Sequence, residues 1–216
     1  MINFEFYNPT RIIFGKDVYK KVGEEVKKYG SRILMVYGGR SLKANGTYDE
    51  VKVSLAQAGI TCFELPGVQP NPRLSLVQEG VRRAKEENVE MILAVGGGSV
   101  IDTAKAIAAG VYYDGDVWDF YTTEKQPEKV MNVGVILTIP AAGSESSDGS
   151  VITKEEDQMK CSCCTDLFFP KFAMLDPQLC FTLPEYQISS GGADILAHVM
   201  ERYFVPDEHH DFSDRL

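Results

Sequence analysis

A chain of 216 residues is long enough for one large domain, or for one domain with part of another, and can bury a substantial core. With 44% hydrophobic and 25% charged residues it has the composition of an ordinary globular protein, which argues against wholesale disorder. The net charge of -9 argues against a nucleic-acid partner, because phosphate backbones demand a surplus of Lys and Arg.

Residues 1–7 show no basic stretch leading into an apolar core and a small-residue cleavage site, so no secretory signal is visible. No apolar run approaches the roughly 20 residues that span a bilayer, and a cytoplasmic protein without a membrane partner is expected. Residues 3–8 and 11–15 are short apolar-aromatic runs separated by Asn8-Pro9-Thr10, which predicts an edge hairpin or a strand pair. Val18, Val22 and Val26 then recur four apart within 17–29, a helical stripe stopped by Gly30. Residues 31–37 read as a buried strand ending in Gly38-Gly39-Arg40-Ser41. Next come a helix over 48–58, a strand over 60–65, the rigid loop Pro70-Asn71-Pro72, and a helix over 74–87 facing Val77 and Val81 inward.

Residues 91–105 run from an unbroken apolar segment through Gly96, Gly97 and Gly98 into a helical period, which reads as strand, tight turn and helix. Val100, Ala104, Ile107 and Ala108 fall on one face of that helix. Ser99 is expected at its N-cap and Asp102 at its third position. Free N–H groups at such a helix start, together with the positive end of its dipole, form an anion site that glycines let a phosphate approach. A diphosphate is the natural ligand. A glycine cluster also serves as a plain tight connection in an α/β sheet, and the pattern is neither GxGxxG nor a phosphate-loop GxxxxGK.

Strand and helix alternate at βαβ spacing, so the expected fold is α/β: a parallel, doubly wound (Rossmann-like) nucleotide-binding domain with ligands at the carboxyl ends of its strands. No acid occupies the Gly38 turn to hold a ribose 2′-hydroxyl, whereas Arg40 and Lys43 supply positive charge there. That combination favours a 2′-phosphate, hence NADP(H) over NAD(H), unless both are simply solvated loop charges.

Residues 112–129 read as a loop with a short helix, and 133–138 as another buried strand. The connector 138–145 follows, then strands around 149–153, 159–164 and 172–175. The hydroxyls of Thr138 and Ser144 are candidates to face a cofactor and are equally good turn residues. Five cysteines with no export signal are expected as reduced thiols. Cys161-x-Cys163-Cys164 lacks the usual metal-binding spacing, and alternating strand positions account for it. Leu183-Pro184-Glu185 opens a helical region, which divides the chain into residues 1–183 and 184–216. Within it residues 191–201 read as one helix, on which Asp194 and His198 lie four apart, project from one face and can share a metal ion. A capping Asp and an ordinary His would give the same spacing.

The Gly-Gly-Gly-Ser-x-x-Asp-x-x-Lys run at 96–105 resembles the pyrophosphate motif of the iron-containing (group III) alcohol dehydrogenases. Gly38-Gly39, Asn71-Pro72, Thr138, Gly143-Ser144-Glu145, Lys160, Leu175-Asp176-Pro177, Leu183-Pro184 and Asp194/His198 fall in the same family order. Within the family the chain looks most like NADP(H)-dependent butanol dehydrogenases and aldehyde reductases. The resemblance implies a hydride transfer between the nicotinamide and a small primary alcohol or aldehyde such as butanol or butanal, assisted by Fe(II) or Zn(II). Asp194 and His198 would then be catalytic metal ligands at the beginning of an all-helical metal-binding domain. By the same resemblance Gly38, Gly39, Arg40, Ser41, Asn71, Gly96, Gly97, Gly98, Ser99, Asp102, Thr138 and Ser144 would face the cofactor. Lys160 would contact it, and Leu179 to Leu183 would line its cleft. Ala142 stands where many relatives carry a Thr. The family's two remaining metal-binding histidines lie further along the helical domain, where only His209 and His210 follow here, in what reads as a loop. The chain therefore reads as a truncated member, with the alternative of a nucleotide-binding module without turnover. The family also implies a homodimer joined through N-terminal edge strands at 2–14.

Overall fold

The computed structural model describes residues 5, 7–39 and 41–204 of the chain. The elements in order are β1 (Arg11–Phe14), a 3-10 turn (Val18–Lys21), α1 (Val22–Val26), β2 (Arg32–Tyr37), α2 (Ser41–Ala44), α3 (Thr47–Gln57) and β3 (Thr61–Leu65). Then follow α4 (Leu74–Glu86), β4 (Met91–Gly96), α5 (Gly98–Gly110), α6 (Asp119–Thr122), β5 (Asn132–Leu137), β6 (Gly149–Lys154), β7 (Met159–Cys164), β8 (Phe172–Leu175) and α7 (Glu185–Tyr203). Six strands form one sheet in the order β1-β8-β5-β4-β2-β3, and every pairing in it is parallel. This is the expected doubly wound, Rossmann-like α/β fold, followed by a helical portion that α7 begins. Among the described residues no helix is long and apolar enough to cross a membrane.

Burial on both faces explains why the central strands are unbroken apolar runs. Leu34, Val36, Ile92, Ala94, Val133 and Val135 enter a core beneath α4 and α5. Ile33, Met35, Met91, Leu93, Val95 and Ile136 enter a second core with Val22, Val26, Val51 and Leu55 of α1 and α3. Those two helices touch so closely at Gly23 that a Cβ there would overlap the carbonyl oxygen of Ser54, whose hydroxyl accepts the Gly23 N–H at 3.1 Å.

Several expectations are corrected. Arg11–Phe14 is an edge strand, but it pairs in parallel with Phe172–Leu175 rather than in a hairpin, and the described residues among 5–10 form no strand. The parallel sheet offers it a partner that the local sequence does not reveal. The helix expected over 17–29 divides into the 3-10 turn and the short α1. Helix α5 buries more than one stripe: Ile101, Thr103, Lys105, Ala106 and Ala109 are as buried as Val100, Ala104, Ile107 and Ala108. It is enclosed by β4, α4 and the antiparallel β6–β7 hairpin, which leaves only Gly98, Ser99 and Asp102 half-buried.

Lys105 is therefore fully buried, and its ammonium donates to the carbonyls of Ser144, Ser147 and Gly149, each at 2.8 Å. Three N–H groups meet three carbonyls, which satisfies the charge without a solvent contact. Burial pushes its pKa down to about 8, against the pull of Asp102, Asp148 and Glu145. At neutral pH the group is still an ammonium.

Two predictions follow from this packing. Gly23→Ala should lower stability by about 1–3 kcal/mol, read from the urea midpoint, because a backbone oxygen cannot swing aside as a side chain would. For Lys105 the folded pKa lies below the ordinary 10.5 of the unfolded chain, so the unfolded state binds more protons between those values. The stability of the unaltered chain relative to Lys105→Met should accordingly rise from pH 8 to pH 10. A flat difference would show that the ammonium loses no affinity for its proton on folding.

Candidate functional site

Along the chain the sheet first grows from β2 outward to β3, then returns to place β4 on the other side of β2 and continues to β5 and β8. The order reverses between β2 and β4, where the crossovers part and leave a crevice at the carboxyl ends of the strands. Tyr37 of β2 is paired with Val95 of β4, so the turns beginning at Gly38 and at Gly96 flank this point from either side.

At the second turn, β4 ends on Gly96, Gly97 is extended (φ -93°, ψ -167°) and α5 begins at Gly98. Gly97 is the N-cap, and Ser99 is the second helical residue rather than the cap; Asp102 is consequently the fifth, not the third. One extended glycine is enough to turn the chain, so the helix starts earlier than a side-chain cap would place it. A Cβ on Gly96 would come within 2.5 Å of Val100 Cγ2, and one on Gly97 within 3.1 Å of Ile139 Cβ. At Gly98 it would meet nothing within 4 Å. The first internal bonds of the turn are donated by Val100 and Ile101 to the Gly97 carbonyl. The N–H groups of Gly98 and Ser99 have no acceptor among the described residues. No acid lies in the first helical turn. Two free donors, a helix dipole and open space beside Gly98 together make an anion site.

Thr138 follows β5 and donates its N–H to the Gly96 carbonyl at 3.1 Å, which brings the connector beside the glycine turn. Ile139 and Pro140 form one wall of an open, predominantly apolar groove of about 580 Å³. Phe181 and Leu183 line it as well, and Ile188 and Ile195 of α7 close the opposite side. Leu183 is at this groove. Leu179 is not: it is buried in the core with Met174 and Tyr19, because the 3-10 turn Pro177–Cys180 rotates it inward. Neither Ile139 and Pro140 nor Ile188 and Ile195 were visible as site residues; their signal was an apolar character unusual for a connector and a helix start.

Ser144 and Asp102 are brought together with each other. The Ser144 hydroxyl donates to Asp102 Oδ1 at 2.6 Å, and the Val151 N–H donates to Oδ2 at 3.1 Å. Burial holds the Asp102 carboxyl above its ordinary range, although the Ser144 hydroxyl and Lys105 pull it down. The pair therefore ties α5 to the segment 144–151. Lys160, at the start of β7's exposed end, donates to Asn71 Oδ1 at 3.0 Å, and Asn71 itself has a left-handed φ of 57°. In the Gly38 turn, Gly38 and Gly39 are at the surface, Ser41 opens α2, and Arg40 lies outside the described residues. Lys43 rests its ammonium 4.7 Å above the Tyr48 ring.

Asp194 and His198 project together from α7, 3.7 Å apart and about half exposed (47% and 50%). One carboxylate and one imidazole at this spacing suit half the coordination sphere of a divalent ion. Among the described residues no group of three or more such donors is gathered, and His209 and His210 lie outside them. Helix α7 meets the α/β portion at Gly191, where a Cβ would stand 3.2 Å from the Pro140 carbonyl. Tyr186, Leu196, Val199 and Tyr203 are left exposed along it.

Comparison with known proteins agrees with this fold. Over its whole length the chain is 48% identical to the probable NADH-dependent butanol dehydrogenase 1 of Bacillus subtilis and covers 56% of that protein. It is 36% identical to the NADPH-dependent aldehyde reductase YqhD of Escherichia coli, again over all of the chain and 56% of the relative. The crystal structure of the NADH-dependent butanol dehydrogenase A of Thermotoga maritima superimposes with a TM-score of 0.95 at 43% identity, over 99% of this chain and 54% of that one. The chain thus spans about half the length of the relatives it matches. Residues 9–177 match the family model described as iron-containing alcohol dehydrogenase, and the chain belongs to that family.

Proposed function

We propose that this chain binds a nicotinamide dinucleotide across the crevice between β2 and β4, and that it serves hydride transfer between the nicotinamide and a small primary alcohol or aldehyde such as butanol or butanal. The observation that carries the reading is the pair of free N–H groups at Gly98 and Ser99 beside open space, at the reversal of strand order. In this reading they receive the pyrophosphate, Gly38 and Gly39 let the adenosine end approach the backbone, and Asn71, Thr138 and Lys160 border the bound molecule. The apolar groove between Ile139 and α7 takes the nicotinamide and the substrate's alkyl chain, excluding water from the reacting carbons. A bound reduced nicotinamide would supply the hydride for the aldehyde's carbonyl carbon, and solvent water the proton that completes the alcohol. Asp194 and His198 would hold Fe(II) or Zn(II), which supplies Lewis-acid polarisation of the carbonyl. Residues 1–183 form the dinucleotide-binding unit here and 184–216 open the metal-binding one.

For the choice of dinucleotide, the turn's lack of an acid and the presence of Lys43 support NADP(H), while the names of the relatives include both NADH and NADPH dependence. The exposed Ile12 and Phe14 of the edge strand β1 support a homodimer formed there, and the five free thiols suit a cytoplasmic setting. A second reading, binding without turnover by this polypeptide on its own, is favoured by the pairing of only two metal donors among the described residues.

A Cβ at Gly98 meets no atom within 4 Å, so Gly98→Ala should leave the melting temperature nearly unchanged while raising the Kd for NADH and NADPH at least about tenfold, followed by nicotinamide fluorescence. Equal binding by this variant would remove the pyrophosphate from α5. In an intact chain of the relatives' length, Asp194→Ala and His198→Ala should each abolish metal-dependent oxidation of NADPH by butanal and leave the cofactor Kd within about twofold. Turnover with normal metal content in either would exclude it as a ligand. In paired titrations Lys43→Ala should weaken NADPH and spare NADH; an equal effect on both would assign Lys43 to the fold rather than to a 2′-phosphate.

A further inference from the structure

The most heavily committed polar group outside the crevice is the buried ammonium of Lys105, and the segment that it clasps is the same one that walls the groove. We propose that Lys105 is a positioning residue for the dinucleotide crevice: its three carbonyl bonds hold the segment 138–149 in place, and thereby set where Ile139 and Pro140 stand, without touching anything bound there. The proposal rests on the dinucleotide reading of the site.

That segment has little apolar anchorage. Pro140, Ala142 and Gly143 are exposed, Gly143 has a left-handed φ of 73°, and only the single 3-10 turn Ser144–Ser146 is regular. It is held at the near end by the Thr138 N–H on the Gly96 carbonyl, and further along by Asn8, whose amide donates to Ser146 O at 3.0 Å and Ser146 Oγ at 2.8 Å. At the far end Lys105 gathers the carbonyls of Ser144, Ser147 and Gly149 onto one nitrogen. Asp102, one helical turn earlier, takes the Ser144 hydroxyl and the Val151 N–H, so α5 grips the segment with a cation and an anion at once. Between these ties Ile139 packs on Gly97 and the Pro140 carbonyl abuts Gly191. Among the described residues no hydrogen bond holds 139–142, the stretch between the ties at Thr138 and Ser144 that carries Ile139 and Pro140, so loosening the Ser144 end frees the groove wall to shift. Three main-chain acceptors stripped of a buried partner would each seek water, which requires the segment to lift.

Lys105→Met, similar in length but without donors, tests this beside Ile107→Ala, whose side chain packs against Gly80 on the far side of α5 and which should lower global stability alone. Amide hydrogen exchange and titration with NADH and NADPH are measured for both at a temperature where circular dichroism shows each to be folded. Lys105→Met should speed exchange across 138–149 at least about tenfold with little change in β4, and raise both dinucleotide Kd values about tenfold. Ile107→Ala should do neither. Lys105→Gln, which keeps two donors on a shorter arm, should fall between Lys105→Met and the unaltered chain. Equal weakening by Lys105→Met and Ile107→Ala, unchanged exchange in 138–149, or failure of both Lys105 variants to fold while Ile107→Ala folds would each overturn the proposal. Failure of the unaltered chain to bind either dinucleotide would instead bring down the functional reading on which it rests. Tight binding by the unaltered chain and by Lys105→Met alike would remove only the role of Lys105.

Discussion

The structure depends on one topological constraint. Parallel strands must be joined by helices that cross the sheet, and where the order of strands reverses, the neighbouring crossovers leave on opposite faces and cannot cover the strand ends between them. In this chain the reversal falls between β2 and β4, two almost fully buried strands that each run into glycines. Everything assigned to the site is arranged about that uncovered edge: two glycine turns, a helix N-terminus, a connector from β5, and the start of α7.

Support for the site comes from beneath it. Asp102 and Lys105 belong to the run that resembles a phosphate motif, yet both direct their charges away from the crevice and into the connector. One sequence stretch thus has two tasks on two sides of a helix. Its main chain at Gly98 and Ser99 faces outward, and its charged side chains hold the neighbouring segment. The first side offers the free main-chain donors, while the second accounts for a charged Asp102 and Lys105 in a helix whose other residues are small, aliphatic or hydroxylated.

Much of this was legible in the sequence, and the misses share a cause. The alternation of strands and helices, the glycine turns at Gly38 and Gly96, the helix bearing Asp194 and His198, and the membership of an alcohol dehydrogenase family all rest on local pattern or short motif, and these hold. Local pattern failed where tertiary context decides. The partner of Arg11–Phe14 lies at the other end of the α/β portion, which no local rule could supply. Periodicity treats a lysine as a solvent residue, so it drew one apolar stripe on α5 and left Lys105 outside. A serine before a helix suggests a cap, but an extended glycine made the cap unnecessary at Ser99. Leu179 looked like its neighbours Phe181 and Leu183, and a tight 3-10 turn separated it from them.

The absence of acids from the first turn of α5 has a kinetic consequence for a protein of this charge. With a net charge of -9, the molecule's far field repels a dinucleotide that is itself anionic, while attraction is confined to a few ångströms around the exposed amides. Mobile ions screen the distant repulsion and reach the short-range contact much less. On the dinucleotide reading proposed above, moderate ionic strength would therefore hasten capture, the opposite of what is seen when a basic protein draws its anionic ligand in from afar.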